Sequence, residues 1–225
     1  ETAKRNLEKE AVWGNIYVTG NTVIDAVIQH MPLAERRSSI MTTIRFKRFA
    51  LATAHRAENV DDPAVLRNFF EAFAQAPIPV VYPIHPRARK RLRQQKIWRK
   101  LSNSENIQLL QPLGYFDFLV LMRKCEMIIT DSGGIQEEAP ALGKPVLVMR
   151  NNTERPEAVE AGIARIVGTD VKSIVAQTEI LLRDHIEYAR MSNAVSIYGD
   201  GHAAERIVRF ILGQALESPR TVRGE

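Results

Sequence analysis

Met127-Ile128-Ile129-Thr130-Asp131-Ser132-Gly133-Gly134-Ile135-Gln136-Glu137-Glu138 is the stretch that decides the fold. An apolar run meets a Ser-Gly-Gly turn and leads into Ala139 to Leu142, which have helix-like composition. Strand, glycine turn and helix start, in that order, make an anion site. Glycines let the backbone approach a ligand, and the first free N–H groups of the helix point at it. Ser132 either caps the helix or donates its hydroxyl to a phosphate oxygen. Glu137 and Glu138 fall in the first turn, where a carboxylate can accept from ribose hydroxyls. A plainer reading is a capped helix start with acids placed to suit its dipole. The local sequence leaves both open, because short glycine turns are weak motifs.

Outward from this turn, short apolar runs alternate with helix-period segments. Strands are predicted at 49–54, 79–84, 107–110, 127–130, 145–149 and 164–167. Helices are predicted at 62–75, over the basic stretch after Pro86, and at 115–124, 157–161, 171–183, 185–198 and 202–215. This alternation predicts an α/β fold, a Rossmann-like doubly wound parallel sheet covered on both faces. The opening stretch reads differently: a polar helix over 1–10, a strand over 16–22 running into a helix at Val23, and a polar connector over 32–43.

In a parallel sheet the carboxyl ends of the strands lie on one edge, where ligands bind. Polar residues collect there. They include Thr53-Ala54-His55-Arg56-Ala57-Glu58-Asn59, His85-Pro86-Arg87, the Gln111 to Phe118 connection, the Ser-Gly-Gly turn, and Arg150 to Glu157. His55, Arg56 and Arg155 can donate to phosphate oxygens, with arginine suited to bidentate contact. The backbone at Ser132, Gly133 and Gly134 can cradle the same group. Glu137 or Glu138 can hold a ribose, and Phe118 can flank a base. Each residue also has a structural reading: His55 as a helix cap, Arg155 paired with Glu154 or Glu157, Phe118 as core. For the set that reading is weaker, since several successive strand ends would be polar by accident.

Composition narrows the class. Hydrophobic content of 45% and charged content of 25% are those of an ordinary soluble globular chain. The apolar runs fall far short of the ~20 residues that span a bilayer. Cys125 is the only cysteine and sits in an apolar helix-like stretch, so it reads as a buried thiol, and the cytoplasm is the expected compartment. Eight cations between Pro86 and Lys100 carry the basic balance: without them the net charge of +5 becomes −3. A basic stripe can track a nucleic-acid backbone, but only Trp98 supplies an aromatic, so a solvated helix face is the better reading.

Longer motifs resemble one family. His-Arg-x-Glu-Asn at 55–59, Tyr-Pro-x-His at 82–85 and DSGGIQEEAPALGKPVLVMRNNTERPEAV at 131–159 are similar to the non-hydrolysing UDP-N-acetylglucosamine 2-epimerases. So are Thr19 to Ala26 and Val167-Gly168-Thr169. The resemblance implies the nucleotide-binding half of a two-domain fold of the glycosyltransferase B type. It divides the chain into a crossover segment and amino-terminal-domain remnant (1–43), a Rossmann-like UDP-binding domain (44–217) and a flexible tail (218–225). His55, Ser132, Gly133, Gly134 and Arg155 would bind the diphosphate, Glu138 the ribose, and Phe118 would lie against the uracil. Arg56 and His85 match residues that touch a second, activating substrate molecule in regulated members. Here Pro-Arg after His85 departs from the regulated pattern.

The implied reaction inverts carbon 2 of the sugar. UDP leaves by elimination, a 2-acetamidoglucal forms, and UDP adds back on the other face. No cofactor and no metal are implied. The family's acid and base carboxylates belong to an amino-terminal half that these 225 residues do not match, so no catalytic residue is assigned. Expected partners are UDP or a UDP-N-acetylhexosamine, a homodimer mate and a complementary amino-terminal half, without membrane or nucleic acid. The isolated chain is expected to bind nucleotide with little or no turnover. Other readings are a non-catalytic UDP-sugar-binding module and half of a B-type glycosyltransferase.

Overall fold

Period-two alternation along each strand builds two apolar layers, one on each face of a sheet. The computed structural model describes residues 2–95, 98–193 and 197–213. In chain order the elements are α1 (Thr2–Lys9), α2 (Thr22–Arg37), a 3-10 turn (Ile40–Thr43), β1 (Ala50–Thr53), α3 (Ala57–Val60), α4 (Pro63–Gln75), β2 (Val80–Pro83), α5 (Pro86–Gln94), α6 (Trp98–Ser102) and β3 (Ile107–Leu110). Then follow α7 (Tyr115–Lys124), β4 (Met127–Thr130), α8 (Gly133–Ala141), β5 (Val146–Val148), α9 (Pro156–Glu160), β6 (Ala164–Ile166), α10 (Val171–Arg183), α11 (His185–Ser192) and α12 (Ala203–Ile211). All strand pairs are parallel, in the order β3-β2-β1-β4-β5-β6. Ala50, Ala52, Val80, Tyr82, Met127, Ile129 and Leu147 face α4 and α10. Leu51, Val81, Ile128, Val146 and Val148 face α2, α7 and α8. The expected Rossmann-like, doubly wound α/β sheet is the observed one.

This strand order reverses direction between β1 and β4, which are neighbours in register from Ala50↔Met127 to Thr53↔Thr130. Such a switch point opens a crevice beyond the carboxyl ends, because the loops after the two strands leave toward opposite faces. The six strands agree with the sequence-based expectations to within a residue or two at their ends. Pro63 opens α4 with Asp62 capping it through Ala64 N–H at 2.8 Å and Val65 N–H at 3.2 Å. Cys125 is buried, and burial pushes its thiol up to about 12, as fits a structural cysteine.

The opening stretch departs from expectation. Residues 15–21 pair with no strand, and the polar connector is in fact helix: α2 runs on through Pro32 to Arg37. Its buried Ile24, Val27 and Ala34 outweigh the missing Pro32 hydrogen bond. Asp25 is also buried and accepts from Ala203 N–H at 3.2 Å and Ala204 N–H at 2.8 Å, so α2 caps α12 from a distance. The helix expected over 185–198 ends at Ser192, and that over 202–215 ends at Ile211. The basic helix divides into α5 and α6, and the tail expected after Glu217 lies outside the described residues.

Candidate functional site

Asp131 is the hub on which the crevice is built. It ends β4, is wholly buried, and accepts from His55 N–H at 3.1 Å, Arg56 N–H at 3.0 Å and Asn59 Nδ2 at 3.1 Å. His55 Nδ1 adds a contact at 3.2 Å. Burial opposes the charge of Asp131, but the His55 and Asn59 side chains and the Arg56 N–H together hold its carboxyl below the ordinary value. The loop after β1 is thereby tied to the end of β4. Two further bonds brace the junction: Thr53 Oγ1 to Thr130 Oγ1 at 2.6 Å, and Tyr82 Oη donating to Ala54 O at 2.9 Å.

Beside this hub α8 begins. Ser132 is its N-cap, accepting from Ile135 N–H at 3.5 Å, and its own N–H donates to Thr130 Oγ1 at 2.9 Å. The N–H groups of Gly133 and Gly134, in the first turn, have no carbonyl within the helix to pair with. Neither glycine has a positive φ, so backbone freedom is not the reason for glycine here. A Cβ on Gly133 would meet Arg56 Nη2 at 3.4 Å and Glu154 Oε2 at 3.5 Å, both in ordinary van der Waals contact, and above Gly134 the nearest atom is Ser132 Oγ at 4.0 Å, so neither position is closed to a side chain by its neighbours. The capping reading of the turn is the observed one: Ser132 caps the helix, and the Gly133 and Gly134 N–H groups are left without a partner inside it.

Cations surround the helix start. Arg56 forks onto Glu154 at 2.8 and 2.7 Å. Arg150, buried at the end of β5, reaches Glu154 at 3.0 Å and Glu58 at 3.1 Å. Hydrogen bonds from Arg150 and then Arg56 pull the Glu154 carboxyl down to about 2. Arg155 pairs with neither acid expected for it. Its Nε binds Glu137, and Nη1 donates to the Glu154 carbonyl at 2.9 Å. Glu137 also accepts from Asn21 Nδ2 at 2.8 Å, so one carboxylate links Arg155 to the residue that caps α2.

The neighbouring acid has another fate. Glu138 has no hydrogen-bond or ion-pair partner among the described residues, and burial, then the Glu137 charge, pushes its carboxyl up to about 7. Burial of Tyr115, and then the Glu138 charge, raise the Tyr115 hydroxyl to about 12, which places Glu138 near the start of α7. Its acceptor capacity is unused. Of the two ribose candidates, Glu137 is committed to Arg155 and Asn21, and Glu138 is free.

His55 does not cap a helix. Its ring contacts Asp131 and lies 6.1 Å from that of His85. His85 is the cap instead, accepting from Arg87 N–H at 3.2 Å at the start of α5. Phe118 lies on α7, half-buried against the apolar layer of α2 and α8. The structure thus brings His55, Arg56, Ser132 and Gly133 together at the switch point, with Arg155 and Glu137 bridging to α2. Two members escaped the sequence reading. Along the chain Arg150 is only one of the polar residues after its strand, and Asp131 has no assigned role; its buried acceptor role shows only when β1 and β4 are side by side. Among the described residues no cluster of three or more His, Cys, Asp or Glu is placed to hold a metal ion. No helix there is long and apolar enough to cross a membrane.

Comparison with known proteins gives the family. Residues 1–212 match the family described as UDP-N-acetylglucosamine 2-epimerase. A probable UDP-N-acetylglucosamine 2-epimerase of Ralstonia nicotianae is 44% identical over 94% of this chain and 59% of its own length. Among solved structures, the Methanocaldococcus jannaschii UDP-GlcNAc 2-epimerase in complex with UDP-GlcNAc and UDP is 37% identical with a TM-score of 0.81, over 94% of this chain and 59% of that one. The Staphylococcus aureus MnaA–UDP structure is 40% identical with a TM-score of 0.81, over 96% and 60%. The chain therefore spans about three fifths of the relatives it matches. It belongs to the UDP-N-acetylglucosamine 2-epimerase family.

Proposed function

We propose that this chain is the UDP-binding, carboxyl-terminal half of a UDP-N-acetylglucosamine 2-epimerase, holding the nucleotide during elimination and re-addition. The carrying observation is the open start of α8 at the β1/β4 switch point, where two glycine N–H groups, Ser132 and nearby cations converge. The diphosphate sits on Gly133 and Gly134, with Ser132, His55 and Arg155 as donors. Glu138 accepts from the ribose, and Phe118 flanks the uracil. Arg56 and His85 stand beside this group and serve a second ligand or the same diphosphate.

In this reading the chain's residues act on the leaving group. When the sugar C1–O bond breaks, negative charge grows on the UDP phosphate, and donors aimed there before reaction stabilise it without reorganising. Proton removal and return at carbon 2 belong to acid and base groups outside this chain. A face of exposed apolar side chains supports a covering half: Val208, Phe210, Ile211 and Leu212 of the α12 end, with Tyr17 4.2 Å from Phe210 by ring centroid. The buried reduced thiol of Cys125 supports a cytoplasmic setting.

Calorimetric titration of UDP, with a turnover assay alongside, tests the proposal. Saturable UDP binding with little or no UDP-N-acetylmannosamine formation is expected. Absence of UDP binding overturns the site, and robust epimerisation by this chain alone overturns the division of labour.

A further inference from the structure

The cations of α5 divide into two faces with different fates. Arg87 and Arg91 both grip Asp61, each placing Nε 3.0 Å from Oδ1, and those bonds hold the Asp61 carboxyl below its ordinary value. Arg89, Lys90 and Arg93 face the other way. They line a cavity of about 600 Å³ with Ile84 and Gln111, at the carboxyl ends of β2 and β3. None of the three meets a carboxylate among the described residues.

Their positions are nevertheless set. Both Arg89 and Arg93 stack on the Trp98 ring, at 5.3 and 5.4 Å from its centroid. Arg89 Nη1 also donates to Gln111 Oε1 at 2.8 Å, while its Nε is buried without an acceptor. Stacking on indole orients a guanidinium but leaves its charge uncompensated. Two oriented guanidinium groups with Lys90 beside them, no carboxylate partner among the described residues and a buried unsatisfied donor define a site that is incomplete by itself.

We propose that this cavity is a second anion site, separate from the cradle at β1 and β4, which takes the phosphoryl group of a small phosphorylated ligand. Guanidinium forks match phosphate oxygens, and three cations suit a dianion better than one carboxylate. The volume falls within the roughly 300–1,000 Å³ of small-ligand sites. Arg87 and Arg91 share Asp61 on the other face of α5, so the three cations without a carboxylate partner stand together at the cavity, a compact group that suits a single phosphate.

Trp98 provides the readout. Trp13 and Trp98 are the two tryptophans, and Trp13 is 98% exposed, so Trp13→Phe leaves Trp98 as sole reporter. With the cleft saturated by UDP, inorganic pyrophosphate and UMP are titrated separately and Trp98 emission is followed. A saturable change with at least one probe is expected; the probe that acts identifies the source as an inorganic ion or a nucleotide. Arg89→Gln with Arg93→Gln should weaken it on the order of tenfold or more, with UDP affinity unchanged. If that double variant misfolds, the exposed Lys90→Gln should weaken it severalfold. The proposal is overturned if neither probe gives a saturable change, if the variants bind as before, or if only single-stranded RNA perturbs Trp98. Because UDP binding at the cleft is measured first by calorimetry, failure here is distinguishable from failure of the UDP site.

Discussion

Asp131 and Glu154 each gather donors from more than one loop around the start of α8, but one is buried and the other is open to water. Asp131 has no exposed surface and binds two backbone N–H groups and a buried amide. The Glu154 side chain is 48% exposed and binds two guanidinium groups. If Asp131 is lost, the buried Asn59 amide has no substitute acceptor and two backbone N–H groups lose theirs; if Glu154 is lost, water or a ligand phosphate replaces it. The first carboxylate is scaffold. The second neutralises cations that a diphosphate can claim.

The sharpest way to break this comparison is Asp131→Ala. It strands the buried Asn59 amide and two part-buried backbone N–H groups and should cost ~2–4 kcal/mol in urea unfolding. A loss below about 1 kcal/mol would make Asp131 no different from a surface acid. Its pH signature has a definite sign. A carboxyl held below its unfolded value of 3.8 contributes stability above that pH and loses it as pH falls further, so the variant should show a shallower acid limb.

Arg155→Ala probes the side of the site tied through Glu137. UDP binding should weaken by ~1.5–3 kcal/mol, read by calorimetry, if the guanidinium makes a charge-assisted phosphate contact. Unchanged affinity with a lowered Tm would assign Arg155 to the bridge between Glu137 and the start of α2.

Glu138→Gln tests the unpartnered acid. A folded value of about 7 against 4.5 for the ordinary group means that Glu138 stability is present below 4.5 and lost as pH rises to 7. Discounted for partial exposure, the variant should gain about 1–2 kcal/mol at pH 8 and little at pH 4. UDP affinity should rise with pH through 7 in the parent chain, as the carboxylate becomes able to accept from ribose, and stay flat in the variant. A gain in stability with a loss of binding would mark a group strained for function.

Glu154→Gln should have the smallest effect on stability, below ~1 kcal/mol, because water reaches the pair. UDP affinity at low salt should rise about two- to tenfold as Arg56 and Arg150 are released. A fall in affinity would show that Glu154 positions Arg56 and would give it the same scaffold role as Asp131.

Much of this was legible along the chain because it is periodic or local. Strands of four residues, buried on both faces, read as unbroken apolar runs such as Met127 to Ile129. Asp62 before Pro63 and Ser132 before two glycines announce helix starts through contacts within three residues. Residues 16–22 misled, since apolar, β-branched residues favour a strand only where a neighbour exists to pair with. Pro32 misled too: it suggests a break, but the helix continues because its face is buried on both sides of the proline.

The sequence by itself determined the alternating α/β architecture, the turn that opens α8 and the polar edge where ligands bind, because each rests on side-chain period and short-range backbone chemistry. Tertiary structure alone decided how identical neighbours divide their work. Glu137 is bound and Glu138 free, His85 caps a helix and His55 does not, and Asp131 and Asp25 serve segments 72 or more residues away. Those choices depend on which chain segments pack side by side, and with them on which charges lose water and which keep it.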